Sequence, residues 1–141
     1  MEEQAMNYPE WVKGLGRVYR EQGSSVFVEV PLAGFEDAMK RIKGHGIDTV
    51  NAISGHDSGK EIEVMYHFIR HGVVLTVKTT TGRKDSAVPS IVRLFPSAML
   101  FEQENHEMLG LRFTGNPKMK PVLLSKDSPR TPLRKKEGGR K

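Results

Sequence analysis

EIEVMYHFIRHGVVLTVKTTT, Glu61 to Thr81, is the stretch on which the fold turns. In its first half Ile62, Val64, Tyr66 and Phe68 alternate with Glu63, Met65, His67 and Ile69, the period of two that lets a strand bury one face. In its second half Val73, Leu75 and Val77 fall opposite Val74, Thr76 and Lys78. His71-Gly72 between them is short enough for a tight turn, so the stretch predicts two adjacent antiparallel strands.

Working upstream, Ile47 to Ile53 reads as a strand, followed by the polar loop SGHDSGK. Phe35 to Lys43 places Phe35, Ala38, Met39 and Ile42 at offsets of zero, three, four and seven, which is the stripe of an amphipathic helix, and Gly44 and Gly46 supply its stop. Before it, Gly23-Ser24-Ser25 signals a turn into the β-branched and aromatic run Val26 to Val30, ended by Pro31 and Gly34. Tyr8 to Tyr19 carries Trp11, Val12 and Leu15 at helical spacing, and a short N-terminal helix is expected there despite Gly14 and Gly16. Downstream, Asp85 to Pro89 is a break. Ser90 to Leu111 has a helical pattern of Ile91, Leu94, Phe95, Met99, Leu100, Met108 and Leu109, which Pro96 is expected to split into two helices.

From Thr114 onward Gly, Pro, Lys and Arg dominate, with Val122 to Leu124 as the one apolar patch. Such a segment cannot offset its own ordering entropy and is expected to be extended, ordering only against a partner. The summed expectation is a single α+β domain over residues 1–113, with a mixed or antiparallel sheet of about four strands covered by helices, and an extended basic arm over residues 114–141.

A length of 141 residues suits one domain, and 37% hydrophobic against 28% charged residues suits one core under an ion-rich surface. No run approaches the roughly 20 apolar residues that span a bilayer, and MEEQAMNYPEW at the start is acidic and polar, so neither a membrane span nor a secretion signal is expected. The chain has no cysteine, which excludes disulfides, thiolate zinc sites and cysteine-ligated iron–sulfur clusters in this chain. Residues 126–141 hold seven Lys or Arg against Asp127 and Glu137, which accounts for the whole net charge of +5. The basic balance therefore belongs to the terminal segment and not to a face of the domain.

Candidate chemistry is sparse. His67 and His71 stand four apart, but in a strand and its turn, with no second ligand pair at suitable spacing, so ordinary surface histidines are the simpler reading. His56, Asp57 and Ser58 are explained by a glycine-flanked polar loop, and no catalytic triad is assigned. Gly14-Leu15-Gly16 follows no strand and lacks the third glycine of a dinucleotide fingerprint. No catalytic, cofactor-binding or metal-ligating residue is assigned.

The segment VPSIVRLFPSAMLFEQENHEMLGLRFTGNPKMKPVLLSKDSPRTPLRKK, Val88 to Lys136, is the informative one. Phe101, Glu104 and Met108 are spaced to share a helix face, as are Leu100, Glu104 and Glu107, so carboxylates and apolar groups lie on neighbouring faces. Gly110 stands where a helix stop calls for the left-handed conformation. Pro121, Pro129 and Pro132 keep the chain that follows extended, which lowers the entropy lost on docking.

This segment resembles the signature region of the 30-kDa subunit family of respiratory complex I, to which it aligns without a gap from Val88 to Lys135. The resemblance rests on Val88, Pro89, Ser90, Leu94, Pro96, Ala98, Phe101, Glu102, Glu104, Gly110, Phe113, Gly115, Pro117, Leu123, Leu124, Asp127, Pro132, Leu133, Arg134 and Lys135. Five positions depart from the family pattern: Leu100 for Trp, Gln103 for Arg, Glu107 for Asp, Asn116 for His and Ser128 for Trp. These departures resemble the compact subunits of energy-converting membrane-bound nickel–iron hydrogenases and of related archaeal complexes. Gln103 also puts in doubt any interface needing a cation there, because a neutral amide cannot form the same charge-assisted pairs.

The resemblance implies a non-catalytic structural subunit in the hydrophilic arm of a membrane-bound, ion-translocating redox complex, of the hydrogenase type or, alternatively, of a respiratory donor:quinone oxidoreductase. Its implied partners are a large catalytic-type subunit and a small iron–sulfur subunit, with membrane subunits contacted indirectly. The chain itself is expected to carry no cofactor; iron–sulfur clusters, and in the hydrogenase version a nickel–iron site, belong to partner subunits. Its implied place is peripheral, on the cytoplasmic side of the cell membrane. The resemblance also implies a subunit interface made of Phe101, Glu102, Glu104, Glu107, Gly110, Pro117, Leu123, Leu124, Asp127, Pro132, Leu133, Arg134 and Lys135. Within it Glu102, Glu104 and Glu107 are expected either to meet basic groups of neighbours or to cap backbone donors. The basic arm suits an acidic or carbonyl-rich groove of a partner, anionic lipid headgroups or nucleic acid. A small basic nucleic-acid-binding module is the rival from another class, but the arm has no aromatic residue to stack on bases, and no nucleic-acid partner is expected.

Overall fold

The computed structural model describes residues 8–117 and Arg134. Tyr8 and Pro9 lead into a 3-10 turn, Glu10–Gly14, and then β1, Arg17–Gln22. β2, Ser25–Glu29, is followed by α1, Phe35–Gly44, which buries Phe35, Ala38, Met39 and Ile42 as the periodicity predicts. β3, Ala52–Asp57, β4, Ile62–Arg70, and β5, Val73–Thr81, come next. The chain continues through β6, Ala87–Pro89, α2, Ala98–Leu109, and β7, Arg112–Thr114.

The strands form one mixed five-stranded sheet in the order β1-β2-β5-β4-β3, with β2 and β5 parallel and the other pairs antiparallel. A separate parallel pair joins β6 to β7. The β4–β5 hairpin turns at His71 and Gly72, both at positive φ (51° and 78°), the mirror-image turn that matches strand twist. Its register brings Tyr66 opposite Val77 and Phe68 opposite Leu75, so the alternation of the sequence becomes one buried face.

Both helices cover that face. Phe35 of α1 meets Tyr66 with ring centroids 5.0 Å apart, and Phe95, just before α2, meets Phe68 at 5.2 Å. Packing of this kind, rather than helix propensity, fixes short helices in place.

Four expectations change. Tyr8 to Tyr19 holds a 3-10 turn and the start of β1 in place of a helix, because Arg17–Gln22 pairs with β2 at the sheet edge, where charged side chains are tolerated. The strand expected at Ile47 to Ile53 lies later, at Ala52–Asp57: Ile47 and Val50 are buried in an irregular connection, and the polar SGHD is the strand. Ser90 to Leu111 contains one helix and not two. Only six residues separate Pro89, paired in β6, from Pro96, and they form turns in which the Leu94 and Phe95 amides both donate to the Ile91 carbonyl. The folded body also continues past Phe113: Thr114 pairs with Pro89, and Asn116 is buried.

Candidate subunit interface

On α2 the buried stripe is Ala98, Glu102, Asn105 and Leu109, at offsets of zero, four, seven and eleven. Half of it is polar, which hides it from a reading based on apolar periodicity. Glu102 is 0% exposed in the chain by itself, and its partners are internal. A buried carboxylate needs donors, and three converge on it. The Ile91 amide donates to Oε2 at 2.9 Å, while the Ser90 hydroxyl and the Asn116 side-chain amide each donate to Oε1 at 2.7 Å. Of the two roles expected of it, capping a backbone donor is seen at the Ile91 amide, while the other two donors are side chains. Burial pushes its carboxyl above the usual range, and the three hydrogen bonds work against that rise. Its charge adds to burial in raising the phenol of Tyr66 well above its ordinary value.

Asn105 and Leu109 seat the helix on β3. The Asn105 amide donates to the Ile53 carbonyl at 3.0 Å and to the Phe101 carbonyl at 2.9 Å. Beneath them lies Gly55, where an added Cβ would collide with Leu109 and come within 2.7 Å of the Asn105 oxygen. Gly55→Ala is expected to lower stability by about 1–3 kcal/mol, the usual cost of overpacking, as measured by a urea-unfolding midpoint. The helix ends as its sequence predicts: Gly110 is left-handed (φ 71°, ψ 17°) and its amide donates to the His106 carbonyl. His106 Nδ1 lies 2.9 Å from the Leu111 carbonyl and secures the exit toward β7.

A second buried anchor closes the far end of β3. Asp57 receives Arg83 Nε at 2.9 Å and Nη2 at 3.0 Å, one on each oxygen, and the Gly59 amide at 2.9 Å. The Asp57 side chain is 0% exposed and that of Arg83 16%, so this bidentate pair is shielded from solvent. Ser58, beside it, organises a turn by accepting from the Lys60 and Glu61 amides, as expected of a polar loop. Arg134 Nη2 donates to Ser86 Oγ at 3.0 Å.

The other residues of the expected interface are placed as follows. Phe101, Glu107 and Gly110 are half-buried, Glu104 and Pro117 are exposed, and Arg134 is half-buried. Leu123, Leu124, Asp127, Pro132, Leu133 and Lys135 lie outside the described residues. On the outer side of α2 Leu100 is 68% exposed, more than any other large hydrophobic residue described. α2 therefore has a side locked to the sheet and a side presenting Leu100 and Glu104. Sequence patterning alone does not reveal the helix-free sheet face, where His67 stands between Ser54 Oγ at 3.0 Å and Thr76 Oγ1 at 2.9 Å. Burial lowers the His67 pKa from its ordinary value. Nearby, Lys78 Nζ sits 4.7 Å from the Tyr19 ring centre and Arg20 5.3 Å from that of Phe27. Among the described residues no three His, Asp or Glu side chains form a group able to hold a metal ion, and no helix is long and apolar enough to cross a membrane.

Fold and site together define a mixed α+β domain whose second helix is clamped by an internal carboxylate. The model of the family described as "Respiratory-chain NADH dehydrogenase, 30 Kd subunit" matches residues 28–141, and the chain belongs to that family. It is 30% identical over 114 residues to the C/D-type subunit of NADH-quinone oxidoreductase from Phocaeicola vulgatus, covering 77% of this chain and 22% of that protein. It is 29% identical over 110 residues to the C-type subunit of NADH-quinone oxidoreductase from Roseiflexus castenholzii, covering 75% of this chain and 62% of that one. The chain thus spans less than two thirds of either relative. Among solved structures, one described as the membrane-bound sulfane sulfur reductase, an archaeal respiratory membrane complex, contains a chain that matches with a TM-score of 0.72 and 26% identity, over 89% of this chain and 82% of that one. The trypsin-resistant fragment of Nqo5 shares the fold, with a TM-score of 0.62 and 22% identity, over 67% of this chain and 82% of the fragment.

Proposed function

We propose that this chain is a cofactor-free structural subunit in the hydrophilic arm of a membrane-bound, ion-translocating redox complex of the energy-converting hydrogenase type, packed between a large catalytic-type subunit and a small iron–sulfur subunit. The observation that carries this reading is the family match over residues 28–141, which spans the signature segment and most of the sheet. The physical support is the division of labour on α2. Glu102 and Asn105 satisfy donors and acceptors inside the chain, so the exposed Leu100 and Glu104 are held on a fixed helix. A rigid, partly apolar helix surface suits a protein neighbour.

The likeness to a chain of an archaeal respiratory membrane complex supports the compact branch of the family. The NADH-quinone oxidoreductase relatives favour a second reading, a subunit of a respiratory donor:quinone oxidoreductase. In either case the clusters belong to the neighbours, and the chain sits at the membrane peripherally, on its cytoplasmic side. Purification of the intact complex followed by metal analysis separates the branches. Nickel in stoichiometric amount is expected for the hydrogenase type, and iron without nickel would move the assignment to the respiratory one. Deletion of residues 126–141, which carry the excess positive charge, is expected to leave the domain folded by circular dichroism while reducing copurification with the redox subunits. Unchanged copurification would remove that segment from the interface.

A further inference from the structure

At the end of the sheet opposite the Asp57–Arg83 pair, a half-open cavity of about 490 Å³ lies between the N-terminal 3-10 turn, the end of α1 and the β4–β5 hairpin. This is within the range of small-molecule sites, roughly 300–1,000 Å³. Its apolar lining includes Val12, Phe68 and Leu75, which are otherwise buried in the core. One wall is Trp11, stacked on His45 with centroids 4.2 Å apart and planes 2° from parallel. Arg70 is a cationic group of the lining, and no Asp or Glu is among the described residues that line it.

Arg70 is exposed, and its guanidinium is oriented toward α1 by one hydrogen bond and one packing contact. Its Nη1 donates to the His45 carbonyl at 2.7 Å, and the guanidinium lies against Gly46, whose φ of 93° and missing Cβ make room for it: a methyl group there would collide with Nη1. A guanidinium carries five N–H donors in a planar fork suited to carboxylates, and this contact uses Nη1. Among the described residues the cavity has aromatic and aliphatic walls, one guanidinium and no carboxylate, which is complementary to an apolar group that ends in a negative charge.

We propose that this cavity binds an apolar monocarboxylate, with the carboxylate on Arg70 and the hydrocarbon body against Trp11, Phe68 and Leu75. The same chemistry is offered by a free alkyl carboxylate or by an acidic residue next to an aromatic one in a neighbouring protein. Trp11 is the only tryptophan of the chain, so its fluorescence reports on this cavity directly. The full-length chain is titrated with decanoate below its micellar concentration, with decan-1-ol, and with the capped dipeptide acetyl-Phe-Asp-amide.

Saturable change of the Trp11 emission by decanoate or the dipeptide is expected, with decan-1-ol weaker by about tenfold, the value of one charge-assisted contact. Tighter binding of decanoate identifies a free amphiphile as the source, and tighter binding of the dipeptide identifies a protein segment. Arg70→Gln is expected to weaken the carboxylate probes by about tenfold and leave decan-1-ol unchanged, with an unfolding midpoint near that of the wild type to show that the fold is intact. Equal affinity for decanoate and decan-1-ol, carboxylate binding indifferent to Arg70→Gln, or no saturable change with either carboxylate would each overturn the proposal.

Discussion

Glu102→Ala is expected to lower the stability of the chain by about 3–5 kcal/mol, a large effect for a single substitution. The side chain is fully buried and receives the Ile91 amide, the Ser90 hydroxyl and the Asn116 amide. Truncation takes the acceptor from those donors, and the Ile91 amide, on a residue 2% exposed, is left buried without it at about 1–3 kcal/mol. Loss of four side-chain atoms from a filled site adds a cavity. Glu102→Gln keeps the volume and one acceptor oxygen but turns an NH₂ toward donors, so a smaller loss of about 1–3 kcal/mol is expected. Urea-unfolding midpoints of the three proteins give the comparison.

The same residue sets a pH dependence whose sign follows from its raised pKa. As pH rises above about 4.5, the unfolded chain releases this proton while the folded chain still holds it. The folded state then binds more protons than the unfolded one, so the Glu102 contribution to stability is full below that pH and is lost as pH rises through the folded-state value. The stability difference between the wild type and Glu102→Gln should therefore change across this window, with the wild type losing ground as pH rises. A difference that stayed flat from pH 4 to pH 7, or moved in the wild type's favour, would contradict the raised value.

Asp57→Ala is the second large effect, about 2–4 kcal/mol, at the lower end of what breaking a buried ion pair costs because Arg83 keeps some access to water. The substitution removes both bonds from Arg83 and the one from the Gly59 amide. A pair this shielded is screened little by salt, so thermal unfolding at low and high ionic strength should show nearly the same loss. Asp57→Asn, which keeps an oxygen for Gly59, should fall between the alanine variant and the wild type.

How much of this was legible in the sequence depended on whether a strand or helix buries apolar atoms. The β4–β5 hairpin and α1 were plain, because Ile62, Val64, Tyr66 and Phe68, and Phe35, Ala38, Met39 and Ile42, are apolar at the period of the structure they form. β3 was displaced because its inner face at Gly55 is filled by side chains from α2, so the strand shows no alternation of its own. The helical pattern and Gly110 mark α2 and its stop, but its inner face carries no apolar stripe because Glu102 and Asn105 hold it through polar bonds. The useful signal was spacing without regard to polarity: Ala98, Glu102, Asn105 and Leu109 mark one side of a helix whatever their chemistry. Of the family departures, Asn116 proved internal, supplying one of the three donors to Glu102. The long-range pair Asp57–Arg83 left no local mark, since 26 residues separate its partners.

What the outer side of α2 faces in the cell decides most directly whether this chain is a structural subunit. A photo-crosslinking amino acid placed at Leu100 of the full-length chain, expressed in its native host, reports which protein lies within a few ångströms of that position. The expected result is a defined crosslink to a subunit of a cysteine-ligated iron–sulfur oxidoreductase, identified by mass spectrometry from the membrane fraction. A chain that stays uncrosslinked and purifies with no redox subunit would contradict the claim that this helix faces a neighbour in such a complex.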